Sequence, residues 1–208
     1  MPHEWSKEVL AELKDLGVKN NKRDDLRKIP FVTIDGKDAK DFDDAVFCEA
    51  NKDGFVLQVA IADVAEIVEP SSSIDKEALS RGTSIYFPKR VIPMLPEEIS
   101  NNLCSLIPNE DRNVLVCKMN FTQEGEINSY DFSESIINSH KRFTYNEVEF
   151  LKQNKDTNLS AEILNSINAL EKLTKQLLNN RSKRYALEIK SSEPTLSFGN
   201  EGNISEIF

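Results

Sequence analysis

The segment Thr33-Ile-Asp-Gly-Lys-Asp-Ala-Lys-Asp-Phe-Asp-Asp-Ala-Val46 places five aspartates, Asp35, Asp38, Asp41, Asp43 and Asp44, within ten residues. Two carboxylates held about 4 Å apart repel by roughly 4 kcal/mol at an effective dielectric near 20, so gathering several without a cation is costly. A hard divalent ion reverses the sign of that effect. All-oxygen donor sets with few protein ligands and room for a substrate phosphate suit magnesium, with manganese as a substitute. Two such ions side by side activate a water and stabilise the leaving oxygen of a phosphodiester. Spacing alone leaves this phosphoryl-transfer site beside a plainer reading, an acidic solvent-facing loop. An EF-hand calcium loop fits poorly: with Asp41 at position 1 and Asp43 at position 3, Ala45 and Val46 fall at positions 5 and 6, where a ligand and a glycine belong.

Strands must position these carboxylates. Apolar alternation marks residues 31–34, 45–49 and 55–61, with Asp53-Gly54 as a turn between the last two. Asp35 closes the first strand and Asp44 opens the second, so antiparallel pairing brings the two carboxylates together at the ends of the connecting loop. Asp41 and Asp43 share parity while Asp44 points the other way, so the loop must curl for all to face one site. Gly36 offers the backbone freedom to begin that curl.

Around this centre the pattern predicts flanking elements. Val9, Leu10, Leu13 and Leu16 lie at helical spacing behind Ser6, with Gly17 as a stop, and a polar run at 19–27 follows. Residues 1–28 therefore read as a helical arm and linker, and 29–208 as the main unit. A helix is expected over 73–81, ended by Gly82, then an extended buried loop over Val91-Ile-Pro-Met-Leu-Pro96. Residues 113–121 and 127–138 form a long hairpin around Glu124-Gly125. Helices follow at 145–151 and 160–184, the latter with Ile163, Ile167, Leu170, Leu173 and Leu177 on one face, and two short strands at 195–198 and 204–208 end the pattern. The fold class is α+β, a mainly antiparallel sheet with flanking helices.

Composition narrows the function. With 39% apolar and 29% charged residues, the 208-residue chain is an ordinary globular protein rather than a disordered one. No apolar stretch is long enough to cross a bilayer, and Met1-Pro2-His3-Glu4-Trp5 lacks the layout of a signal peptide, so a cytoplasmic location is expected, with no membrane partner. Cys48, Cys104 and Cys117 are odd in number and far apart, which points to buried or half-buried thiols rather than a disulfide framework. A net charge of −9 excludes nucleic-acid binding through an overall basic field; RNA would have to be met at a local site.

The stretch Phe31 to Val46 resembles the signature of the ribonuclease II / ribonuclease R family of RNB-type catalytic domains nearly without substitution. Ala60-Ile-Ala-Asp-Val64, Arg81-Gly-Thr-Ser-Ile-Tyr-Phe-Pro88, Pro93-Met-Leu-Pro96, Leu103-Cys-Ser-Leu-Ile-Pro108 and Ser139-His-Lys-Arg-Phe-Thr-Tyr145 match in order. The similarity runs from about Arg23 onward, with the ribonuclease R branch nearer. It implies a hydrolase of RNA degradation: a magnesium-dependent exoribonuclease that acts from the 3′ end of single-stranded RNA and releases nucleoside 5′-monophosphates. By the resemblance, Asp35, Asp41, Asp43 and Asp44 organise the metal ions, Asp43 is the catalytic one that positions the attacking water, and Asp38 lies outside the set. Tyr86 matches the aromatic residue that packs on the 3′-terminal nucleotide, and Tyr145 falls where the sugar side of the RNA is met. As bare residues, Tyr86 reads as an edge aromatic and Tyr145 as packing at a helix start. His140 reads as a structural hydrogen-bond residue.

The chain departs from the family pattern in one place and is incomplete in others. Ile189 stands where a second aromatic clamp is often found. A later acidic residue, an arginine-containing motif and the cold-shock and S1 domains have no counterpart in the 208 residues. The expectation is therefore the N-terminal portion of the catalytic domain, inactive or weak alone and prone to self-association, with a non-catalytic metal- or RNA-binding module as the alternative.

Overall fold

The computed structural model describes residues 4–17, 22–87, 90–153, 158–187, 196–199 and 203–207. In chain order the elements are α1 (Lys7–Glu12, continued by a 3-10 turn at Leu13–Asp15), β1 (Asp24–Asp25), β2 (Val32–Asp35), β3 (Asp44–Ala50), β4 (Gly54–Ala62), α2 (Val64–Ile67) and α3 (Ser73–Arg81). Then come β5 (Ile85–Phe87), β6 (Arg90–Ile92), a π-helical turn at Ile99–Leu103, β7 (Asp111–Thr122), β8 (Ile127–Asn138), β9 (Lys141–Thr144), α4 (Tyr145–Gln153), α5 (Ala161–Lys183), β10 (Leu196–Phe198) and β11 (Ile204–Ile207).

Seven strands form one sheet in the order β1-β8-β7-β4-β3-β2-β9. The central pairings β2–β3, β3–β4, β4–β7 and β7–β8 are antiparallel, as alternation predicted, whereas the edge pairs β1–β8 and β2–β9 are parallel. Parallel partners so far apart in the chain leave no local turn signal, and both edge strands escaped the sequence reading.

Alternate residues of each strand serve opposite faces. On one face Phe31, Ala45, Ala60, Ala62, Val114, Val116 and Ile137 pack with Val9 of α1, Ile67 of α2, Ile74 of α3 and Leu106. On the other, Cys48, Phe55 and Phe121 receive Ala169 and Leu173 of α5, while Val32 and Phe143 receive Ile163 and Ile167. Ile163, Ile167 and Leu173 are among the helical-period residues of α5, and each large side chain so buried stabilises the fold by roughly 1.5–3 kcal/mol. Ser160 caps α5, Ser72 caps α3 and Ser6 caps α1, each accepting a backbone N–H of the first turn. Gly82 ends α3 in the left-handed region at φ 75°, as the sequence required. The helix at the N-terminus is seated rather than free: Val9 is 1% exposed in the main core, and Arg81 stacks on the Trp5 ring at 3.7 Å.

One expectation changes. The stretch 91–96 is not one buried loop: its first residues belong to β6, which pairs with β5 as a separate exposed hairpin, and only Pro96 is deeply buried. Leu95 is partly buried against the main core. The thiols behave as expected, with Cys48 and Cys104 buried and Cys117 half-buried; burial pushes Cys48 up to about 12 and Cys104 up to about 11, which keeps both inert. Among the described residues no helix is long and apolar enough to cross a membrane.

Candidate active site

Register brings the two ends of the aspartate segment to one end of the sheet. Val32 pairs with Val46, so β2 and β3 run antiparallel, with Asp35 leaving one strand as Asp44 enters the other. Asp44 stands opposite Ile61 in β4, and Asp43 is fixed one step earlier by its carbonyl, which accepts the Ala62 N–H at 2.9 Å. On the far side of β2, Asp35 stands opposite Thr144 in β9. The helix α4 begins immediately after because Thr144-Tyr-Asn-Glu147 is a capping box: Thr144 N–H and Oγ1–H donate to Glu147 Oε2 at 2.7 and 2.8 Å, and Glu147 N–H donates back to Thr144 Oγ1 at 3.2 Å. Tyr145 is thereby placed beside Asp35 with 65% of its surface exposed. A groove of about 390 Å³ lined by Lys37, Arg142, Thr144, Tyr145, Asn146 and Glu147 runs past this point.

The loop from Gly36 to Asp43 does curl, but not through glycine freedom, since Gly36 has no positive φ. Arg142 Nη2 donates to the carbonyls of Gly36 at 2.6 Å and Lys37 at 2.9 Å, and its guanidinium lies over the Phe42 ring at 5.5 Å. At the other end Ser105, wholly buried, donates to the Lys40 carbonyl at 2.8 Å and accepts the Phe42 N–H at 3.0 Å. Tyr86 comes in from the β5–β6 hairpin; its hydroxyl reaches Asp41 Oδ2 at 3.5 Å, the outer limit of a hydrogen bond, and its ring is 68% exposed.

The electrostatics are those of uncompensated like charges. Burial raises the Asp35 carboxyl, Asp44, Asp43 and Asp41 raise it further, and Arg142 partly opposes them. Asp43 is raised by desolvation and then by Asp41 and Asp44. Its side chain still meets solvent, so its desolvation comes from crowding at the sheet end rather than from enclosure. Burial and the nearby Asp41 also raise Tyr86. Among the described residues no ion pair reaches any of the four aspartates.

Asp35 Oδ2 is buried without a hydrogen-bond partner. A hard divalent cation suits an all-carboxylate donor set that carries such an orphaned oxygen. The donors are not closed on a point, however: among the described residues no three His, Cys, Asp or Glu side chains converge so as to hold an ion.

The structure therefore gathers Asp35, Asp41, Asp43, Asp44, Tyr86 and Tyr145 at one end of the sheet, and leaves Asp38 exposed in the loop between them. His140 is structural: its Nε2 lies 3.1 Å from the Arg27 carbonyl and its N–H donates to Phe31 O at 2.8 Å. Ile189 lies outside the described residues. Sequence reasoning missed the roles of Arg142, Ser105 and Phe42. Arg142 was visible only as half of a basic pair, and nothing local ties Ser105 to a loop 63 residues away.

Three comparisons bear on this arrangement. The chain is 44% identical to ribonuclease R of Vibrio parahaemolyticus over 216 aligned positions, which cover the whole of this chain and 26% of that protein. It superposes with a TM-score of 0.92 and 34% identity on Mycoplasma genitalium RNase R in complex with double-stranded RNA, covering 98% of this chain and 37% of that one. The complex of the same enzyme with ribose methylated single-stranded RNA gives the same score and identity, covering 99% of this chain and 33% of that one. The chain thus spans about a quarter of the Vibrio relative and about a third of the Mycoplasma enzyme. The RNB domain model matches residues 23–208, and on that match the chain belongs to the RNB domain family.

Proposed function

We propose that this chain is the aspartate-bearing part of a hydrolytic 3′-to-5′ exoribonuclease that degrades single-stranded RNA to nucleoside 5′-monophosphates, and that it is inactive or weak by itself. The observation that carries the reading is the uncompensated group of Asp35, Asp41, Asp43 and Asp44 at one end of the sheet, with the exposed Tyr86 ring against it. RNA-bound ribonuclease R neighbours on the same fold support the substrate class.

Asp35, Asp41, Asp43 and Asp44 would hold magnesium, or manganese in its place. When bound there, a divalent cation supplies Lewis-acid polarisation of the phosphodiester and a more acidic water. Asp43 accepts a hydrogen bond from the attacking water and orients it toward phosphorus, a role that its solvent-exposed position at the sheet end allows. Tyr86 offers its ring to the 3′-terminal base, a contact every base can make through its π-face. Tyr145, on the groove that contains Lys37, meets the sugar side. The leaving 3′-oxygen needs charge stabilisation that these residues do not provide, which is why the chain alone is expected to turn over poorly.

Calorimetric titration of the chain with magnesium and manganese tests the reading. Binding weakened at least about ten-fold by Asp43→Asn or Asp44→Asn is the expected outcome, since each removes a charged ligand. Binding that is unchanged when both aspartates are replaced would remove the site. In the larger enzyme, Tyr86→Ala should weaken binding of a single-stranded 3′ end by about 1–3 kcal/mol without altering metal affinity.

A further inference from the structure

The aspartates sit on two separate pieces of backbone, the end of β2 and the loop that leads into β3. Their relative placement depends on what fixes residues 36–42. Two side chains from distant parts of the chain do so. Arg142, on edge strand β9, spends both of its hydrogen bonds on the loop carbonyls of Gly36 and Lys37, directly after Asp35. Ser105, in the segment after the π-helical turn, takes the Lys40 carbonyl and the Phe42 N–H on either side of Asp41. Leu106 N–H donates to the Phe42 carbonyl at 2.9 Å, one residue before Asp43. Phe42 joins the two holds, because its ring packs against the main core on one side and takes the Arg142 guanidinium on the other.

From this geometry we infer that Arg142 and Ser105 are positioning residues, a two-point clamp that sets the separation between Asp35 and the Asp41–Asp43–Asp44 group and so the capacity of the four carboxylates to share a cation. In this role both act through the loop backbone that they hold. The metal half of the statement rests on the proposed function; the clamp itself does not. A chain without the clamp would retain its core, since the loop leaves the sheet at Asp35 and re-enters at Asp44 with the strand pairing intact. Its carboxylates, which repel one another, would separate. Holding like charges together before the ion arrives is what outer residues around a metal site do, and their loss typically lowers affinity by about 10–100-fold.

The test uses the 208-residue chain and three variants, Arg142→Met, Arg142→Lys and Ser105→Ala, with three readouts: amide hydrogen exchange, thermal unfolding, and titration with manganese. Arg142→Met is expected to speed exchange at Ala39 and Phe42 by about ten-fold or more while amides in β4 and β7 keep their protection. Manganese affinity should fall about ten-fold in the same variant. The ammonium of Arg142→Lys can donate to both carbonyls but cannot stack on Phe42, so it should recover most of both effects. Ser105→Ala should release the Phe42 N–H and weaken manganese binding to a similar degree. Loop exchange that is unchanged in Arg142→Met and Ser105→Ala overturns the clamp, whatever the metal does. Faster exchange with undiminished manganese affinity overturns the positioning role and leaves a local staple. If the unsubstituted chain binds no manganese, the metal reading falls, and the clamp is decided by the exchange data alone.

Discussion

Two groups of carboxylates lie close together in this chain and are treated in opposite ways. Asp63 and Glu66, with side chains 9% and 4% exposed, face the equally buried Arg23 at 2.6 and 3.5 Å, and Asn113 Nδ2 donates to Glu66 Oε2 at 2.7 Å. Among the described residues Asp35, Asp41, Asp43 and Asp44 are paired with no such cation, although Ala62, the neighbour of Asp63, donates its N–H to the Asp43 carbonyl. A buried ion pair is weak evidence for extra stability but strong evidence that removing one partner will be costly. An unpaired acidic group is the reverse: the folded state tolerates it at a cost, which a ligand can remove. The difference separates carboxylates that hold the fold from carboxylates that wait for something.

The largest expected effect lies in the compensated group. Arg23→Met leaves Asp63 and Glu66 buried without their cation and should destabilise the chain by about 3–5 kcal/mol in urea unfolding. Magnesium should not repair it, since the lost charge belonged to the fold. Replacing Asp63 and Glu66 by Asn and Gln in the same background should return a large part of the loss. Arg23→Met with an unfolding midpoint like that of the unsubstituted chain would erase the distinction between the two groups.

Next in size is the response of the other group to a cation. An ion that binds only the folded chain stabilises it by about 2.7 kcal/mol when present at a hundred times its dissociation constant. Thermal unfolding with and without magnesium should therefore show a gain of that order, and Asp43→Asn should lose most of it. Equal gains in the two proteins would mean that the ion acts somewhere other than the sheet end.

How much of this was legible beforehand depends on range along the chain. Asp35 and Asp44 could be read as facing strand ends because 31–34 and 45–49 alternate and are joined by a short loop, and the hairpin β3–β4 carries its own turn. Capping serines and Gly82 likewise act within a few residues, so α1, α3 and α5 were visible. What could not be read was anything set by distant partners. Arg142 reaches the loop across 106 residues, Ser105 across 65, and β9 lies against β2 with no turn to announce it. The curl was assigned to Gly36, whose freedom the backbone does not use, because a glycine is a local signal and a serine in a remote segment is not. Tyr86 read as an edge aromatic by its own residues for the same reason: its exposure beside Asp41 depends on the hairpin of β5 and β6, which no local signal ties to the aspartate loop.

The smallest effect is the most diagnostic, because its sign differs between carboxylates. Asp35 and Asp43 are raised above the ordinary aspartate value of 3.8, so between that pH and their raised values the folded chain binds more protons than the unfolded one. The slope of stability against pH follows the protons bound by the unfolded state minus those bound by the folded state, which here is negative. Their contribution therefore falls as pH rises through the upper carboxylate range and stays low above it. Asp25, held down to about 2 by Arg27, and Asp111, lowered first by Asn138 and then by Arg27, act oppositely: their stability is present above the ordinary value and is lost as pH falls. A single melting curve mixes the two signs, but a difference curve does not. The chain carrying Asp35→Asn and Asp43→Asn, compared without metal to the unsubstituted chain, should gain relative stability as pH rises past about 4 and level off at no more than on the order of 1 kcal/mol, since solvent screens Asp43. Saturating magnesium should cancel the gain or turn it into a loss, because the ion favours the ionised carboxylates that the substitutions remove. A flat difference curve would show that the sheet end stores no repulsion, and the contrast with the Arg23 network would then rest on geometry alone.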